Sequence, residues 1–344
     1  MPVRLATLLV VVAALADLRA QPRANTTLTA VSGLKVGHHT LAERPTGCTV
    51  ILAEAGAVGG VDVRGAAPAT RETDLLDPTK MVQQIYGVVL SGGSTFGLES
   101  AGGVLQFLEE RKVGVAFGGL RIPVVPGASI FDLGVGDGRI RPTADCGLRA
   151  ARAATTDPVQ EGSVGAGAGA TLGKYLGMER AMKSGVGSAA VTLADGTIVA
   201  ALVVANPLGD VIDQDTGRTI AGVRNQSGNG LADVRQLIRT ERARLPGGGN
   251  TTIGVIATDA RLTKAQANHL AQLADDGYAR AIWPVHSIAD GDTVFALATG
   301  THAGDPDMLT IGAIAADVMA RAVVRAATQA TSLPGLPAVR DLTR

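Results

Sequence analysis

Residues 245–259 read LPGGGNTTIGVIATD. Within a few positions the chain passes from consecutive glycines through Asn250 to two threonines and a run of β-branched and small apolar residues. That run, 252–258, predicts a strand buried on both faces. Glycine tolerates backbone conformations closed to other residues, so the Asn250–Thr251 bond joins the most permissive backbone to the start of a core strand. Two interpretations follow: a loose loop, or a bond that is bent in order to be cut.

A threonine at the start of a chain supplies both a nucleophile and its base. Its hydroxyl attacks, and its free α-amine, with a pKa of about 7.7–8.0, accepts the proton. Inside a chain that amine is an amide, so a cut before Thr251 would create the base. The cut can be self-driven, since the Thr251 hydroxyl can attack the Asn250 carbonyl and water can hydrolyse the resulting ester. On spacing alone, a Gly-rich loop in which Thr251 simply begins a strand is the more common arrangement.

The composition is that of one large α/β domain or two smaller ones. Of 344 residues, 46% are hydrophobic and 18% charged, which is enough for a sizeable core. The 45 glycines and the aromatic content of 3% predict layers packed through small side chains. The 31 Lys and Arg residues balance 31 Asp and Glu residues. Because the net charge is zero, the basic surface that a nucleic-acid partner needs is not expected.

Short β-rich runs alternate with helical ones from about residue 25 onward, which predicts layers of helix and sheet. The third predicted helix has Thr263 as its N-cap, and the fourth has Asp305 as its N-cap with Pro306 at its first position. The least regular region, 206–249, predicts a solvated helix and then a flexible tether at PGGG, 246–249. The predicted strands are 49–53, 86–90, 113–117, 197–205, 252–258 and 293–298, and the predicted helices are 97–111, 144–155, 264–280 and 306–329.

The N-terminal residues have the layout of a secretory signal. A basic residue precedes the apolar run Leu5 to Ala16, and small residues allow cleavage after Ala16 or Ala20. This favours export to the periplasm or the medium, with the cytoplasm as the alternative. No later segment is long and apolar enough to span a bilayer, so no membrane partner is expected. Cys48 and Cys146 are interpreted as two buried thiols, with one disulfide as the alternative for an exported chain.

Familiar catalytic and nucleotide-binding motifs are incomplete. EGSVGAGAGATLGKYLG (161–177) lacks the spacing of a phosphate-binding loop, and SGGSTFGLESAGG (91–103) lacks the second glycine of a nucleophile elbow. The five histidines form no metal-binding motif, so neither a metal nor another cofactor is expected. Because Ser–His–Asp chemistry has no clear supports either, a hydrolase of this sequence would need its base from elsewhere.

Six segments, in the same order along the chain, resemble the self-processing aminopeptidases of peptidase family S58. This group includes L-aminopeptidase/D-amidase-esterases, β-peptidyl aminopeptidases and nylon-oligomer endohydrolases. The resemblance runs from about residue 25 to the C-terminus. The segments are RPTGCTVIL (44–52), LSGGSTFGLESAGGV (90–104), GAGAGATLGK (165–174), VVANPLGDVID (203–213), GNTTIGVIATDARLTKAQ (249–266) and PVHSIADGDTVFAL (284–297).

The resemblance implies a four-layer α/β/β/α sandwich of the N-terminal-nucleophile type. It further implies that the precursor is cut into an α chain, 21–250, and a β chain, 251–344, which together form one folded domain. Residues 1–20 would be the signal peptide. Homo-oligomers of αβ units are usual in the family and are therefore expected here.

The resemblance also implies roles for individual residues. Thr251 is the nucleophile, in the threonine form used by the nylon-hydrolase branch, and Asn250–Thr251 is the autocleavage site. Lys174 lies where that branch has a lysine near the nucleophile. Asn206 matches the asparagine that stabilises the oxyanion, and Asp290 matches the acid that holds the amine of the nucleophile. These residue types suit those roles, because an amide donor stabilises developing negative charge and a nearby lysine lowers the pKa of an amine.

Two positions depart from the family pattern. Phe131 stands where several relatives have a tyrosine, and Ile288 stands where relatives have a Ser or Asp two residues before the acid. The network that orients the amine is therefore expected to be thinner.

The implied function is an autoproteolytically activated hydrolase that removes N-terminal residues from small peptides, amides or esters through an acyl-enzyme. Three alternatives stay open: an amide-oligomer endohydrolase, an acyltransferase of the ornithine acetyltransferase type, and an uncut small-molecule binding protein.

Overall fold

The computed structural model describes residues 25–244 and 249–342. The predicted signal peptide, 1–20, lies outside the described residues, and so do residues 246–248 of the predicted tether. The described helices are α1 (Ser100–Glu110), α2 (Ala144–Arg152), α3 (Val234–Thr240), α4 (Lys264–Ala281) and α5 (Met308–Thr328). The described strands are β1 (Lys35–Thr40), β2 (Gly47–Val63), β3 (Thr70–Arg71), β4 (Gln84–Ser91), β5 (Val115–Phe117), β6 (Leu120–Ile122), β7 (Gly127–Ser129), β8 (Thr171–Leu172), β9 (Met182–Lys183), β10 (Val186–Thr192), β11 (Ile198–Asn206), β12 (Asp210–Ile212), β13 (Thr219–Ala221), β14 (Thr251–Thr258), β15 (Ile282–Trp283) and β16 (Thr293–Ala298).

The fold has four layers in the order helix, sheet, sheet, helix. Strands β10, β11, β14 and β16 form one sheet layer, and α4 and α5 pack on its outer face. Strands β1, β4, β7 and β3 belong to the other sheet layer, which α1 and α2 cover. Between the two sheet layers lies a core to which Ile51, Leu90, Leu202, Val255 and Phe295 contribute. The predicted α/β/β/α sandwich is confirmed.

Strand β2 belongs to both sheet layers. Residues 47–52 pair with β1 and β4, whereas residues 58–63 pair with β16. The register shifts between Leu52 and Ala57, and Gly56 there has a left-handed backbone with φ of 87°. An irregularity of this kind bends a strand and increases its twist. The two layers are therefore one continuous nine-stranded sheet that folds over itself at β2.

Strand β14 lies in the interior of its sheet layer, antiparallel to β11 and parallel to β16. All eight of its residues are buried, which confirms the strand predicted at 252–258. A parallel pair of strands requires a crossover connection, and α4 supplies it. Thr263 caps α4 through a capping box with Gln266, as predicted.

The start of α5 differs from its prediction. The helix begins at Met308, and Asp307 is its N-cap instead of Asp305. The Asp307 carboxylate accepts hydrogen bonds from the N–H groups of Leu309 and Thr310, which gives two otherwise unpaired donors a partner. A proline two residues upstream of the first helical residue was therefore the wrong guide to the boundary.

Three further elements are shorter than predicted. Helix α1 begins only at residue 100, because residues 94–99 form a tighter 3-10 helix. Helix α2 ends at Arg152. The strand predicted at 113–117 is reduced to β5, which pairs only with β6 in a solvent-exposed hairpin.

Cys48 and Cys146 form a disulfide that joins β2 to α2. Their Cα atoms are 6.0 Å apart, and both residues are almost fully buried. The interpretation as two buried thiols is wrong, because the packing of α2 on β2 brings together two cysteines that are 98 positions apart in the chain. No helix within the described residues is long and apolar enough to cross a membrane.

Candidate active site

The predicted site residues meet around the Asn250–Thr251 bond. Thr251 is the first residue of β14, and Asn206, the last residue of β11, is its partner in the ladder. Lys174 lies two residues after β8, and Asp290 lies in the loop before β16. All are buried, with Lys174, the most exposed of them, at 6%. Two strand ends and two loops therefore build the site.

The nucleophile predicted from the sequence contacts the carbonyl that it would attack. The Thr251 hydroxyl donates a hydrogen bond to the Asn250 carbonyl oxygen. The backbone N–H of Gly291 donates to the same oxygen at 3.1 Å. The Asn250 side chain donates to the Ala289 carbonyl at 3.3 Å. The bond is therefore fixed by groups on both sides, inside the protein.

Gly291 was missed by the sequence analysis, because its contribution is a backbone group. A Cβ atom at this position would come within 2.5 Å of the Ala67 carbonyl oxygen. Only glycine therefore lets the loop pack closely enough to bring its N–H to Asn250. The available signal was a glycine between two acids, in DGD at 290–292.

Lys174 places its ammonium among three oxygens. The Nζ atom lies 2.9 Å from the Asn206 carbonyl oxygen, 3.0 Å from Asn206 Oδ1 and 3.1 Å from the Gly249 carbonyl oxygen. An ammonium has three hydrogens, so each can have an acceptor. Burial lowers the pKa of Lys174, and nearby aspartates, Asp290 first among them, oppose this shift. The group is therefore a better proton donor than a lysine in water.

Both ends of the Asn206 side chain are fixed. Its Oδ1 accepts hydrogen bonds from Lys174 and, at 3.0 Å, from the backbone N–H of Thr171. Its Nδ2 lies 3.1 Å from the Phe131 carbonyl oxygen and 3.4 Å from the Gly249 carbonyl oxygen. In the uncut chain its two amide hydrogens therefore serve the Phe131 carbonyl and the carbonyl of Gly249, one residue before the Asn250–Thr251 bond.

Asp290 lies on the other side of the site. Its Oδ1 accepts a hydrogen bond from the Leu208 N–H at 3.1 Å, and the Ser287 hydroxyl donates to its Oδ2. Burial raises the pKa of Asp290, and the negative charge of Asp292 adds to the shift, although both hydrogen bonds and Lys174 act against it. Both carboxylate oxygens already have partners in the uncut chain.

Asp292, to which the sequence analysis gave no role, holds the residue that follows the nucleophile. Its Oδ1 accepts a hydrogen bond from the backbone N–H of Thr252 at 2.7 Å. Its Oδ2 lies 2.9 Å from Nδ1 of His286. Within residues 25–244 and 249–342, no group of three or more potential His, Cys, Asp or Glu ligands is arranged to hold a metal ion.

The two departures from the family pattern have different surroundings. Phe131 is 37% exposed, and its ring would lie 3.1 Å from a Cβ atom placed on Gly249. Ile288 is 88% exposed and projects from the protein. The hydroxyl of Ser287, the residue before Ile288, donates a hydrogen bond to Asp290 instead.

The match to a known protein family covers almost all of the described residues. The sequence profile of Peptidase family S58 matches residues 26–339. The chain belongs to this family. A family member from Mycobacterium tuberculosis, named an uncharacterized aminopeptidase, is 42% identical over 342 residues, covering 92% of this chain and 97% of the relative. The 6-aminohexanoate-oligomer endohydrolase of a Kocuria species is 31% identical over 312 residues, covering 86% of this chain and 84% of the relative.

A solved structure shows the same fold. The L-aminopeptidase D-Ala-esterase/amidase of Ochrobactrum anthropi, described as a variant of the Ntn-hydrolase fold, matches with a TM-score of 0.65 at 21% sequence identity. The match covers 89% of this chain and 86% of that chain. The N-terminal-nucleophile type of sandwich is thus confirmed. Membership of family S58 together with the named relatives makes this protein a hydrolase of the aminopeptidase type.

Proposed function

We propose that this protein is a self-processing aminopeptidase that cuts its own chain between Asn250 and Thr251 and then uses Thr251 as the nucleophile. The observation that carries the proposal is the contact between the Thr251 hydroxyl and the Asn250 carbonyl, at the buried start of β14. An ordinary loop before a strand does not need that geometry, nor a second donor, Gly291 N–H, on the same carbonyl oxygen.

Self-cleavage proceeds by an acyl shift. The Thr251 oxygen bonds to the Asn250 carbonyl carbon while the C–N bond between the two residues breaks. The hydroxyl proton ends on the released α-amine of Thr251. The Gly291 N–H stabilises the negative charge that develops on the carbonyl oxygen. Water then hydrolyses the Asn250 ester, which leaves a carboxylate on Asn250 and restores the Thr251 hydroxyl.

The same atoms then act on a substrate. The α-amine of Thr251 accepts the hydroxyl proton as the oxygen attacks the substrate carbonyl, and it passes this proton to the leaving amine. Water hydrolyses the acyl-enzyme. In the uncut chain, Lys174 and Asn206 donate to the Gly249 carbonyl. Departure of residues 249 and 250 after the cut would free both donors for a substrate oxygen. Asp290, beside the new N-terminus, would hold the amine.

We propose small peptides and amides as the substrate class, because the named relatives are an aminopeptidase and a 6-aminohexanoate-oligomer endohydrolase. A panel of α- and β-aminoacyl anilides beside an oligomer of 6-aminohexanoate separates the two specificities. Release of one terminal residue at a time supports the aminopeptidase, and internal cleavage of the oligomer supports the endohydrolase.

Export is proposed on two grounds, namely the signal-like N-terminal residues and the buried Cys48–Cys146 disulfide. Disulfides persist in oxidising compartments and are rare in the cytosol. Oligomers of αβ units are proposed from the family resemblance.

The test of self-processing is the intact mass of the purified protein under denaturing conditions, with N-terminal sequencing of each fragment. We expect a fragment that begins Thr-Thr-Ile-Gly at residue 251. Thr251→Ala should give one uncut, inactive chain, whereas Thr251→Ser, which keeps the hydroxyl, should still be cut. Amidase activity in an uncut Thr251→Ala protein would contradict the proposal and leave a different nucleophile to be found.

A further inference from the structure

His286 lies between two buried carboxylates. Its Nδ1 is 2.9 Å from Oδ2 of Asp292, and its Nε2 is 3.5 Å from Oδ2 of Asp275. The Asp275 side chain is fully buried, the Asp292 side chain is 2% exposed, and the imidazole is 18% exposed. Two buried acids on opposite edges of one ring favour a positive charge on that ring, because a buried charge is costly unless it is paired.

The backbone of His286 is also adapted to this contact. Its φ of 49° lies in the left-handed region, which is uncommon for a residue other than glycine. In this conformation the backbone N–H of His286 donates to the same Asp292 oxygen at 3.1 Å. The ring and the backbone thus converge on one carboxylate, and the strained conformation is retained where it serves that contact.

The row of charges continues from Asp275 to the surface. Asp275, on α4, lies 2.9 Å from the guanidinium of Arg64, which also pairs with Asp62 at 2.7 Å and Asp276 at 2.8 Å. The Arg64 backbone N–H donates to the Asp292 carbonyl oxygen.

At its inner end the row reaches the strand that carries the nucleophile. Asp292 Oδ1 accepts from the N–H of Thr252, one residue after Thr251. A row of ion pairs therefore connects Arg64, at the surface, with Asp292, which holds the backbone of the residue after the nucleophile.

We propose that His286 is a positioning residue for Thr251, acting as an imidazolium that holds the Asp292 carboxylate on the Thr252 N–H. By fixing this amide, it keeps the Thr251 hydroxyl against the Asn250 carbonyl. The inference rests on the proposed self-processing and adds a residue that contacts neither the reacting hydroxyl nor the carbonyl. It also makes processing sensitive to the charge of the ring.

The electrostatics of the cluster agree with this geometry. Burial opposes the charged ring, but the hydrogen bond to Asp292 and the negative charges of Asp275 and Asp292 outweigh burial and Arg64, so the pKa of His286 is raised. Burial raises the pKa of Asp275 to about 7, with His286 and Arg64 acting against the shift.

The remaining ionisable groups around the ring define the background. These groups are Tyr278 and Asp276 on α4 and Asp62 on β2. Burial raises the pKa of Tyr278 well above its usual value. The imidazolium is therefore present below its raised pKa and is lost as the pH rises through it. The hold on Asp292 should weaken over the same interval.

Self-cleavage is the readout of choice, because no free α-amine titrates before the bond is cut. Pulse-labelled chain from cell-free synthesis is transferred to buffers from about pH 5.5 to about pH 9, which bracket the usual titration range of histidine. The cut fraction is followed by denaturing electrophoresis. The variants are His286→Asn, Asp275→Asn and, as the matched control, His269→Asn on the exposed face of α4.

In the wild type we expect the cleavage rate to fall at alkaline pH. Asparagine tolerates a left-handed backbone and can still donate to Asp292, but it carries no charge. His286→Asn should therefore cut about tenfold to a hundredfold more slowly, as displacements of reacting groups generally do. It should keep only the part of the alkaline fall that comes from loss of the Lys174 charge, because burial lowers the pKa of Lys174 to about 7. Asp275→Asn should move that fall to lower pH, because one of the charges that stabilises the imidazolium is gone. His269→Asn should behave as the wild type.

A His286→Asn chain that cuts at the wild-type rate with the wild-type pH profile overturns the inference. Circular dichroism checks that this variant folds; if it does not, an Asp275→Asn profile identical to the wild type overturns the inference instead. A wild-type chain that is not cut at any pH would overturn the proposed self-processing and this inference with it. If the wild type is cut and the His286→Asn chain is cut equally well, only the proposed role of His286 is contradicted.

Discussion

Asn206 and Thr251 face each other across the β11–β14 ladder, as the last residue of one strand and the first residue of the next strand in space. The side chain of Asn206 holds Lys174 and the Gly249 carbonyl, while its ladder partner carries the hydroxyl. Backbone hydrogen bonds of the sheet therefore set the distance between these groups. Groups held at strand ends are placed more precisely than groups on loops.

Lys174→Met should slow self-cleavage by about a hundredfold, because the ammonium fixes the Gly249 carbonyl and the Asn206 side chain next to the bond that is cut, and a displacement of reacting groups by about 1 Å can cost that much. Lys183→Met is the matched control. Lys183 is also fully buried, and burial lowers its pKa to about 7, but its ammonium donates to the Gly167 and Ser184 carbonyls. Cleavage should survive in that variant. Equal rates in the two variants would show that burying a lysine, and not its place beside Asn206, is what matters.

The same pair of variants predicts a pH dependence of stability. Both pKa values are lowered by burial, so between the folded value and about 10.4, the value for an unfolded lysine, the unfolded chain binds more protons. The free energy of unfolding should therefore rise with pH over this interval. Each methionine variant should lose its share of this rise. Urea titrations at pH 7 and pH 9, with all chains kept uncut by Thr251→Ala, measure this rise. A pH dependence unchanged in both methionine variants would contradict the assignment.

Ser287→Ala and Ile288→Ala should show which of these two residues helps to position the Asp290 carboxylate. The Ser287 hydroxyl donates to Asp290, whereas the Ile288 side chain is 88% exposed. We expect the serine variant to lower kcat of the mature enzyme about tenfold, since loss of one hydrogen bond to a charged group costs about 1.5 kcal/mol or more. The isoleucine variant should stay within about twofold, as exposed substitutions usually do. The opposite order would mean that residue 288 acts on the substrate.

Gly249→Ala should impede cleavage more than a matched glycine substitution elsewhere. Gly249 and Gly304 both have φ of 132°, a conformation that strains an alanine. At Gly249 the new Cβ would also meet the Phe131 ring at 3.1 Å, whereas at Gly304 nothing lies within 4 Å. Pulse-labelled precursors of the two variants give the rates. If Gly304→Ala cuts as slowly as Gly249→Ala, general destabilisation explains both.

Replacing Cys48 and Cys146 together by serine should lower the free energy of unfolding by about 2–5 kcal/mol, the usual cost of losing a native disulfide. Guanidinium titration of the variant and the wild type, both kept uncut by Thr251→Ala, measures the loss. A reductant should destabilise the wild type by a similar amount and leave the double variant unchanged. A wild type indifferent to the reductant, with two titratable thiols after unfolding, would mean that the bond does not form in solution.

The sequence allowed correct predictions where the signal is local. The strand in 252–258 follows from a run of β-branched and small apolar residues, and the N-cap at Thr263 follows from a hydroxyl residue directly before a helical apolar stripe. Asn206, Lys174 and Asp290 were found only through the family resemblance. Nothing in their own spacing shows that β11, β14 and two loops meet.

The misses have a common cause, which is dependence on the tertiary structure. Cys48 meets Cys146 because α2 packs on β2, and no feature of either segment reports this. Gly291 contributes only a backbone N–H, and Asp292 contacts a ring, His286, whose position depends on the loop conformation. The start of α5 was misplaced because two aspartates flank Pro306 and only the structure shows which one caps the helix.

The place of β14 in the sheet has a consequence for the life of the protein after a cut at residue 250. The smaller fragment would contribute β14 and β16, which lie between β11 and β2 of the larger fragment. The fragments would stay together as one molecule, held by two complete strand ladders and the core. Once unfolded, however, they could find each other again only in a bimolecular reaction, whereas the precursor folds as one chain. The cut, active form would therefore have a fold that the precursor assembles far more readily than the two fragments do. Dilution should block renaturation of the cut form but not that of the uncut Thr251→Ala precursor.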